Sequence, residues 1–435
     1  MIQNEINIQI NNEFLPPNWK IVRLKDISEI IRGVTYNKND INNQLIPGYC
    51  SILRATNISD GFLDLKTDLV FVRIKNVSNK QLLKIGDIVV AMSSGSKKVV
   101  GKSAQLFVEW QGSFGAFCAI IRPNNLLVDP FFVGYFMRTD AYRDYIEKVA
   151  TGTNIKNLTK QHILNLTIPL PPLPEQRAIA HVLRTVQEAR EKTEAVIEAA
   201  KTLKKSMMQY LFTYGPVPID EAEQVPLKET EIGMVPEGWE IVKLEEIALI
   251  SMGQSPNGDT YNDKNIGMPL LNGPTEFGRY YPLPKTWTSA PTKKCEKDDI
   301  LFCVRGNTTG RMNIADRTYC IGRGLAAIRA KPTKSINNYI FAYLIREEKN
   351  LLDIATAGGS TFPNITKFGL FNYKIPSPPL LIQEQISNIF TSIDKKIAAE
   401  ESRKAALDQL FQTLLHELMT AKIRVNHISV PVAET

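Results

Sequence analysis

An internal near-repeat is the feature that most limits what this chain can fold into. The segment Leu15–Leu24 returns as Val235–Leu244 at an offset of 220 residues, with a Pro-x-x-Trp motif in both copies. Gly33 and Gly253 keep the same offset. A repeat of this length is far longer than the roughly 20–50-residue units of solenoid proteins. The chain therefore contains a duplicated module, and a duplicated module suits a ligand that itself has two parts.

A proline-rich segment closes each copy of the module. Ile168–Pro172 is followed by Glu175-Gln176, and Ile375–Pro379 is followed by Glu384-Gln385, so the two Glu-Gln pairs are interpreted as counterparts. Proline lacks a donor N–H and has a fixed φ, so residues 169–174 are predicted to be neither regular helix nor central strand. Each proline-rich segment is predicted to be a rigid joint between a strand and the helix that follows it.

Two long helices are predicted after these joints, over Glu175–Thr213 and Gln383–Lys422. The first has neither Gly nor Pro and is rich in strong helix formers. Its apolar residues step by three and four, which predicts a coiled-coil seam made of Ile179, Val182, Val186, Ala189, Thr193, Val196, Ala200, Leu203, Met207 and Tyr210. The seam of the second helix is interrupted by polar residues between Glu400 and Lys404. Because a whole module separates them in sequence, the two helices are predicted to pair antiparallel.

Composition excludes several other classes of protein. The formal net charge of +7 suits a polyanionic ligand without requiring one. The five cysteines form no C-x-x-C pair and the four histidines are scattered, so buried reduced thiols are predicted rather than a metal site. The N-terminus lacks the pattern of a signal peptide, and no apolar run approaches the ~20 residues that span a bilayer. These features predict a cytoplasmic protein that does not enter a membrane.

The duplicated Pro-x-x-Trp entry, proline-rich exit and long helix together resemble the specificity subunits of Type I restriction–modification systems. The resemblance covers almost the whole chain. It implies an α+β fold in which two mixed α/β target-recognition domains are joined by two long antiparallel coiled-coil helices, a pseudo-twofold tandem duplication. The expected division is a first recognition domain over 1–168, a joint and first helix over 169–215, a linker over 216–234, a second recognition domain over 235–375, and a joint, second helix and tail over 376–435.

The resemblance also implies a function and partners. Each recognition domain would read one half of a bipartite site in double-stranded DNA, and the helices would set the gap between the halves. Two modification (methyltransferase) subunits would dock along the helices, and restriction (helicase-nuclease) subunits would join them. The chain itself would carry no catalytic residue, cofactor or metal; S-adenosylmethionine, ATP and Mg²⁺ would bind to the partner subunits.

Base edges and phosphates are contacted by polar and cationic side chains, which predicts the DNA contacts. Two corresponding glycine-containing loops follow the strands that begin near Asp87 and Asp299, and a second pair of loops lies just before the proline-rich exits. The candidate DNA-binding residues are Ser94, Ser96, Lys97, Lys98, Lys102, Thr153 and Asn154 in the first module, and Arg305, Asn307, Thr308, Thr309, Arg311, Ser360 and Thr361 in the second. The two sets differ, as expected for readers of different half-sites.

Other interpretations fit the residues less well. Gly95–Ser103 resembles a P-loop, but five residues separate its glycines instead of four, and a strand rather than a helix is predicted after it. Ser377–Leu380 lacks the aromatic residue of an amino-methyltransferase motif. A tandem-domain scaffold that binds no DNA stays open as an alternative, and a fused methyltransferase–nuclease would need catalytic motifs that are not found here.

Overall fold

The computed structural model describes residues 15–59, 61–94, 96, 98–151, 157–356 and 363–428. The chain divides into two compact units. The first consists of residues 1–192 and 403–435, and the second of residues 193–402. Each unit therefore contains one β-rich module together with part of both long helices, so the division falls inside the helices rather than at the linker expected over 216–234.

In its described residues, the first module is built from short strands and short helices. Its strands are β1 Lys20–Arg23, β2 Ser28–Arg32, β3 Ile41–Asn42, β4 Tyr49–Leu53, β5 Ile58–Ser59, β6 Phe62–Leu63, β7 Val70–Arg73, β8 Ile88–Ala91, β9 Ser103–Gln105, β10 Gly112–Phe114, β11 Cys118–Pro123 and β12 Thr167–Leu170. Its helices are α1 Leu24–Ile27, α2 Pro130–Phe136, α3 Asp140–Thr151 and α4 Lys160–Leu164, and the first long helix, α5, follows over Leu173–Tyr214.

The second module repeats most of this order, with an additional hairpin at its start. Its strands are β13 Leu227–Thr230, β14 Gly233–Pro236, β15 Glu240–Lys243, β16 Ala248–Met252, β17 Tyr261–Asn262, β18 Met268–Leu271, β19 Thr286–Thr288, β20 Lys294–Cys295, β21 Ile300–Cys303, β22 Met312–Ile314, β23 Tyr319–Ile321, β24 Leu325–Ala330 and β25 Lys374–Ser377. Its helices are α6 Leu244–Ile247, α7 Asn337–Arg346, α8 Glu348–Thr356 and α9 Lys367–Phe371, and the second long helix, α10, follows over Leu380–Met419.

The sheets of the two modules correspond. An antiparallel sheet of order β2-β11-β8-β9 in the first module matches β16-β24-β21-β22 in the second. A second sheet contains the parallel pair β10 and β4 in the first module, and the parallel pair β23 and β18 in the second. The predicted α+β fold with two duplicated mixed modules and two long helices is therefore confirmed. The predicted linker also contributes structure, because the hairpin of β13 and β14 begins in it and ends at Pro236.

The two glycines that keep the repeat offset are required by close backbone contacts. A Cβ on Gly33 would lie 2.0 Å from the carbonyl oxygen of Gly115, and a Cβ on Gly253 would lie 2.2 Å from that of Gly322. Both distances are well below van der Waals contact, so no other residue fits without moving the backbone. Each glycine thus lets the end of one strand pass against the turn that precedes β11 or β24.

The proline-rich joints differ from the prediction at both ends. Pro169 lies inside β12, opposite Ile21 of β1, and helix α5 already begins at Leu173. A two-stranded sheet consists only of edge strands, where a missing donor can face away from the partner. Pro174 occupies the first turn of the helix, where the N–H has no intrahelical acceptor in any case. Each joint is a strand-to-helix connection, as predicted, but shorter than 169–174.

A buried glutamine ties each module to its helix. Gln176 donates to the carbonyl of Pro171 at 2.8 Å and accepts from the amide of Asp129 at 2.9 Å. Gln383 makes the equivalent bonds, to the carbonyl of Pro378 at 2.8 Å and from the amide of Ile336 at 3.2 Å. The counterpart of Gln176 is therefore Gln383, and the predicted match with the Glu384-Gln385 pair, which is exposed, was wrong.

The long helices pair antiparallel within each unit. In the first unit Glu175 and Arg190 of α5 form ion pairs with Arg424 and Asp408, so residue numbers rise along one segment and fall along the other. In the second unit Lys204 lies 2.6 Å from Asp394, and the ring of Phe212 stacks on that of Phe390. The predicted antiparallel pairing is therefore observed in both units.

The predicted seam of α5, by contrast, is wrong in its middle. Val196 and Leu203 were placed in the seam but are 41% and 52% exposed, whereas Gln187 and Ile197 are buried. The same side of the helix also carries polar side chains that bind neighbouring elements. Gln187 accepts from Arg138, and Lys204 pairs with Asp394. The apolar pattern selects positions such as Val196, one residue before the buried Ile197. The predicted seam is therefore rotated by about one residue from the observed one.

Candidate nucleic-acid interface

The two loops predicted to contact DNA in the first module lie side by side. Ser93 and Asn157 form an isolated antiparallel bridge, and the amide of Leu158 donates to the carbonyl of Met92 at 2.7 Å. The loop after β8 and the loop before α4 are therefore joined at their bases. Lys97, Thr153 and Asn154 lie outside the described residues.

The second module repeats the arrangement. Arg305 and Asn364 form the equivalent antiparallel bridge. The amide of Gly306 donates to the carbonyl of Pro363 at 2.8 Å, and the amide of Ile365 donates to that of Val304 at 2.9 Å. Two loops far apart in sequence thus form a single surface in each module. Ser360 and Thr361 lie outside the described residues.

Exposed cations occupy this surface in both modules. Lys98 is exposed in the first module, and Arg305 and Arg311 are exposed in the second. Lys102 is half-buried, and with Lys98 it lines a cavity that also contains Arg138, Arg143, Asp140 and Glu147. Exposed lysine and arginine side chains are suited to contact phosphates without reading sequence.

Small polar side chains lie between these cations. Ser96 and Asn307 are exposed, while Ser94 and Thr308 are half-buried. The hydroxyl of Ser94 accepts from the amide of Ser96 at 3.2 Å, so it also shapes the loop. Hydroxyl and amide groups at such positions can donate to or accept from base edges.

Thr309 does not belong with the other candidates. Its side chain is 2% exposed, and its hydroxyl donates to the carbonyl of Gly306 at 2.7 Å. A buried hydroxyl that closes a turn is not available to an external ligand. Thr309 therefore stabilises the loop that carries Arg305 and Arg311, and we remove it from the candidate contact residues.

A duplicated ion pair with a buried carboxylate supports the strand that carries each loop. The guanidinium of Arg122 binds the carboxylate of Asp87, just before β8, through two bonds of 2.8 and 2.7 Å. Arg329 binds Asp299, just before β21, through two bonds of 2.6 and 2.8 Å. These hydrogen bonds raise the pKa of both guanidinium groups. Each module therefore holds the start of its loop-bearing strand by the same charged contact.

Sequence reasoning missed a third element of this surface. The turn before β11 presents Phe117, whose side chain is 70% exposed and whose carbonyl accepts from the amides of Met92 and Ser93. The corresponding turn before β24 presents Arg323. The signal that could have found it is the pair Gly115 and Gly322, which keeps the 207-residue offset of the proline-rich exits.

The cysteines are buried beneath the surface, and the thiol of Cys303 donates to the carbonyl of Arg305 at 3.3 Å. All five are free and buried, as predicted. Burial raises the pKa of the Cys118 and Cys295 thiols to about 12, so both are protonated near neutral pH and unsuited to act as nucleophiles.

Within the described ranges, no group of three or more His, Cys, Asp or Glu side chains could hold a metal ion. None of the helices in the described part of the chain is both long and apolar enough to span a bilayer.

Comparison with known proteins identifies a single family. The family model for the Type I restriction modification DNA specificity domain matches residues 16–200 and 236–409. A putative type I restriction enzyme MjaX specificity subunit from Methanocaldococcus jannaschii is 35% identical over 423 residues, which cover 94% of this chain and 95% of the relative. The EcoKI specificity subunit of Escherichia coli is 34% identical over 257 residues, which cover 59% of this chain and 53% of the relative.

Solved structures agree with these relatives. A chain solved in work on complex assembly and conformational transition of the type I R-M system is 25% identical, with a TM-score of 0.56 and coverage of 94% of this chain and 100% of that chain. The S subunit of a Type-I restriction-modification system from M. genitalium has a TM-score of 0.60 and covers 94% of this chain and 97% of its own. At 18% identity, the second likeness shows the fold alone.

Proposed function

This chain belongs to the family of Type I restriction–modification DNA specificity subunits, and from that premise we propose that the paired loops of each module contact one half of a bipartite DNA site. The role in DNA sequence specificity belongs to the family. The proposal adds the surface that performs it: the loops joined by Ser93 and Asn157 in the first module, and those joined by Arg305 and Asn364 in the second.

One observation carries this proposal. In each module the same two loops, far apart in sequence, are brought together by the same kind of backbone bridge. The scaffold beneath them is also duplicated, down to the Arg122–Asp87 and Arg329–Asp299 pairs. The side chains that the loops present nevertheless differ. An invariant support under variable loops is the arrangement expected of two readers that recognise different sequences.

The charges support contact with a duplex. Lys98, Arg305 and Arg311 are exposed and can replace counterions along the phosphate backbone, which supplies sequence-independent affinity. Exposed polar groups such as Ser96 and Asn307 lie next to these cations in sequence. They can therefore reach base edges once the cations hold the phosphate backbone of the DNA. The surface thus offers both kinds of contact that sequence-specific binding requires.

We further propose that two modification (methyltransferase) subunits dock on the helices. Leu203 of α5 is 52% exposed and Leu410 of α10 is 45% exposed, and they occupy equivalent positions in the two helices. Two equivalent apolar side chains on exposed helix faces suit two copies of the same partner. Restriction (helicase-nuclease) subunits would complete the assembly.

In this proposal the chain itself performs no catalysis. S-adenosylmethionine would bind the modification subunits, and ATP and Mg²⁺ would serve the assembled enzyme. The test is an assay of the purified chain with S-adenosylmethionine and duplex DNA. Methyl transfer is expected only after modification subunits are added, and methylation by the chain alone would contradict the proposal.

Methylome sequencing tests the role in specificity. A host that carries the gene with its partner subunits should methylate one bipartite motif, and deletion of this gene should abolish that motif. Exchanging residues 305–311 for another polar loop of equal length should change one half of the motif and leave the other half intact. An unchanged motif after the exchange would remove that loop from the interface. The alternative of a scaffold that binds no DNA predicts that the motif persists after deletion.

A further inference from the structure

The turn before the strand β11, and its counterpart before β24, occupies a fixed place in each module. Gly115 and Gly322 pack their carbonyls against Gly33 and Gly253 so closely that a Cβ at either of the latter would collide with them. In the second module the turn also rests on Asn272, since a Cβ on Gly324 would lie 2.4 Å from the carbonyl of that residue. Backbone packed this tightly has little freedom to move, so a side chain on the turn is presented from a rigid base.

Main-chain hydrogen bonds join this turn to the start of the proposed DNA loop. The carbonyl of Phe117 accepts from the amides of Met92 at 2.8 Å and Ser93 at 3.2 Å. In the second module the carbonyl of Gly324 accepts from the amide of Val304 at 2.9 Å, immediately before Arg305. The turn is therefore a neighbour of the loop base in both modules.

The side chains on the turn point away from the protein core. Phe117 is 70% exposed, whereas Met92 and Ser93, whose amides donate to its carbonyl, are half-buried. Arg323 is exposed, and among the described residues no carboxylate or carbonyl accepts from its guanidinium. The modules thus present a phenyl ring and a guanidinium at corresponding turns, next to loops that otherwise carry small polar and cationic groups.

These two groups recognise different bases. In the major groove an apolar side chain such as phenylalanine contacts the methyl group of thymine, and arginine makes a bidentate contact with the O6 and N7 acceptors of guanine. Phe117 and Arg323 occupy neighbouring positions of the turn, since Gly324 matches Phe117 and Ala116 matches Arg323 at the 207-residue offset. The two turns therefore present side chains of different base preference.

We propose that this turn is a base-reading element in each module, with Phe117 selecting a thymine in one half-site and Arg323 selecting a guanine in the other. The inference rests on the proposed function, because it requires the adjoining loops to contact DNA. It adds the residues and the base classes that they read.

The test uses the complete complex of this chain with its modification subunits, and the motif identified by methylome sequencing. The variants Phe117→Ala and Arg323→Ala are compared with the wild type by methylome sequencing and by duplex binding. Each variant should lose discrimination at one base pair, in different half-sites, and keep the other half unchanged. For Arg323→Ala the loss should be on the order of tenfold or more.

Modified bases show whether the contact is the one proposed. Uracil in place of thymine removes the methyl group and should weaken wild-type binding about fourfold at the position read by Phe117, with no further effect in Phe117→Ala. Replacing guanine with 7-deazaguanine removes the N7 acceptor and should weaken the wild type but not Arg323→Ala. If Phe117→Ala relaxes a position that is not a thymine, or Arg323→Ala relaxes one that is not a guanine, the proposal is overturned.

Matched control variants lie at the opposite ends of the same strands. Leu126 follows β11 and is 87% exposed, and Lys334 follows β24 and is exposed. Leu126→Ala and Lys334→Ala should leave the motif unchanged. Retained specificity in both turn variants would overturn the base-reading role, while weakened binding by variants of Arg305 and Arg311 would leave the proposed function standing. Loss of both half-sites in one turn variant would also overturn it, because the turn would then support the fold instead of reading a base.

Discussion

Glu175 and Arg424 form a two-point ion pair that ties the start of α5 to the tail beyond α10. Arg424 Nε lies 2.5 Å from Glu175 Oε1, and Arg424 Nη2 lies 2.9 Å from Oε2. The carboxylate is nearly fully buried and also accepts from Trp19 Nε1 at 3.2 Å. The pair therefore joins the entry motif of the first module, its long helix and the chain's C-terminal segment in one unit. The second module has Ile382 at the position of Glu175, so the duplication has diverged here.

Arg424→Ala should destabilise the first unit by about 3 kcal/mol, because it leaves a buried carboxylate without its counter-charge. Urea unfolding of the full chain, followed by tryptophan fluorescence, measures the loss. The double variant Glu175→Gln with Arg424→Ala should recover most of it, since a neutral amide can still accept from Trp19. A double variant as unstable as Arg424→Ala would show that the uncompensated charge is not the cause.

Gly253→Ala should destabilise the second unit by about 3 kcal/mol or more, because the three atoms nearest to the new Cβ all belong to the backbone. The carbonyl of Gly322 would lie 2.2 Å away, and those of Ile321 and Leu325 each 2.8 Å away. Gly238→Ala is the matched control, since no heavy atom lies within 4 Å of its Cβ position. Equal unfolding midpoints for the two variants would contradict the close approach.

Arg305→Ala with Arg311→Ala should weaken DNA binding by the assembled complex and flatten its salt dependence. If both guanidinium groups neutralise phosphates, the slope of log K against log salt should fall by about two units, roughly 0.9 for each contact. Filter binding or anisotropy at several salt concentrations measures this slope. Lys285→Ala with Lys334→Ala removes the same charge from exposed sites of the same unit and serves as the control. An unchanged slope in the arginine double variant would exclude these side chains from phosphate contact.

Insertion of one heptad into both helices should lengthen the gap between the methylated half-sites without changing either half. The insertions belong after Lys192 and after Ser402, between the two units, so that Arg190–Asp408 and Lys204–Asp394 both keep their partners. Seven residues add about 10.5 Å, close to three base pairs, and return the helix to nearly the same face. Methylome sequencing reads the new gap.

A heptad inserted into α5 alone is the control for this experiment. It displaces one helix past the other and should abolish recognition instead of lengthening the gap. An active paired variant that still methylates the original spacing would mean that the helices do not set the distance.

Asp129→Asn should gain stability over the wild type as pH rises. Burial raises the pKa of the Asp129 carboxyl, while its bonds from the amides of Phe132 and Phe131 lower it less. A raised folded-state pKa stabilises the fold below the unfolded pKa, about pH 4, and that contribution is lost as pH rises through the folded value. Asparagine keeps an acceptor for the helix cap but does not titrate.

Unfolding midpoints of wild type and Asp129→Asn at pH 4 and pH 7 test this sign. The unfolding midpoint of the asparagine variant, measured relative to that of the wild type, should be higher at pH 7 than at pH 4. Asp129→Ala loses the cap and should be about 1 kcal/mol less stable than Asp129→Asn at both pH values. A difference between wild type and asparagine that stays constant with pH would contradict the raised pKa.

The polar seam of α5 shows where sequence patterns stop being informative. Gln187, Arg190 and Lys204 take part in contacts between the helix and its neighbours, yet none looks like a core residue in the sequence. Their buried or half-buried positions depend on partners such as Arg138, Asp408 and Asp394, which are distant in sequence. Apolar periodicity alone therefore selected Val196 and Leu203, which are exposed.

Periodicity and duplication are local properties of the chain, and by themselves they determined the number of modules, the two long helices, the strands near Asp87 and Asp299, and the positions of the paired loops. Hydrogen bonds between distant segments are not visible in a linear pattern. Only the tertiary structure decided that Gln383 rather than Gln385 matches Gln176, that Thr309 is buried, and that Phe117 and Arg323 stand beside the proposed DNA loops. Those outcomes depend on which backbone segments pack together, because packing determines whether a polar or aromatic side chain is enclosed by partners or left facing solvent.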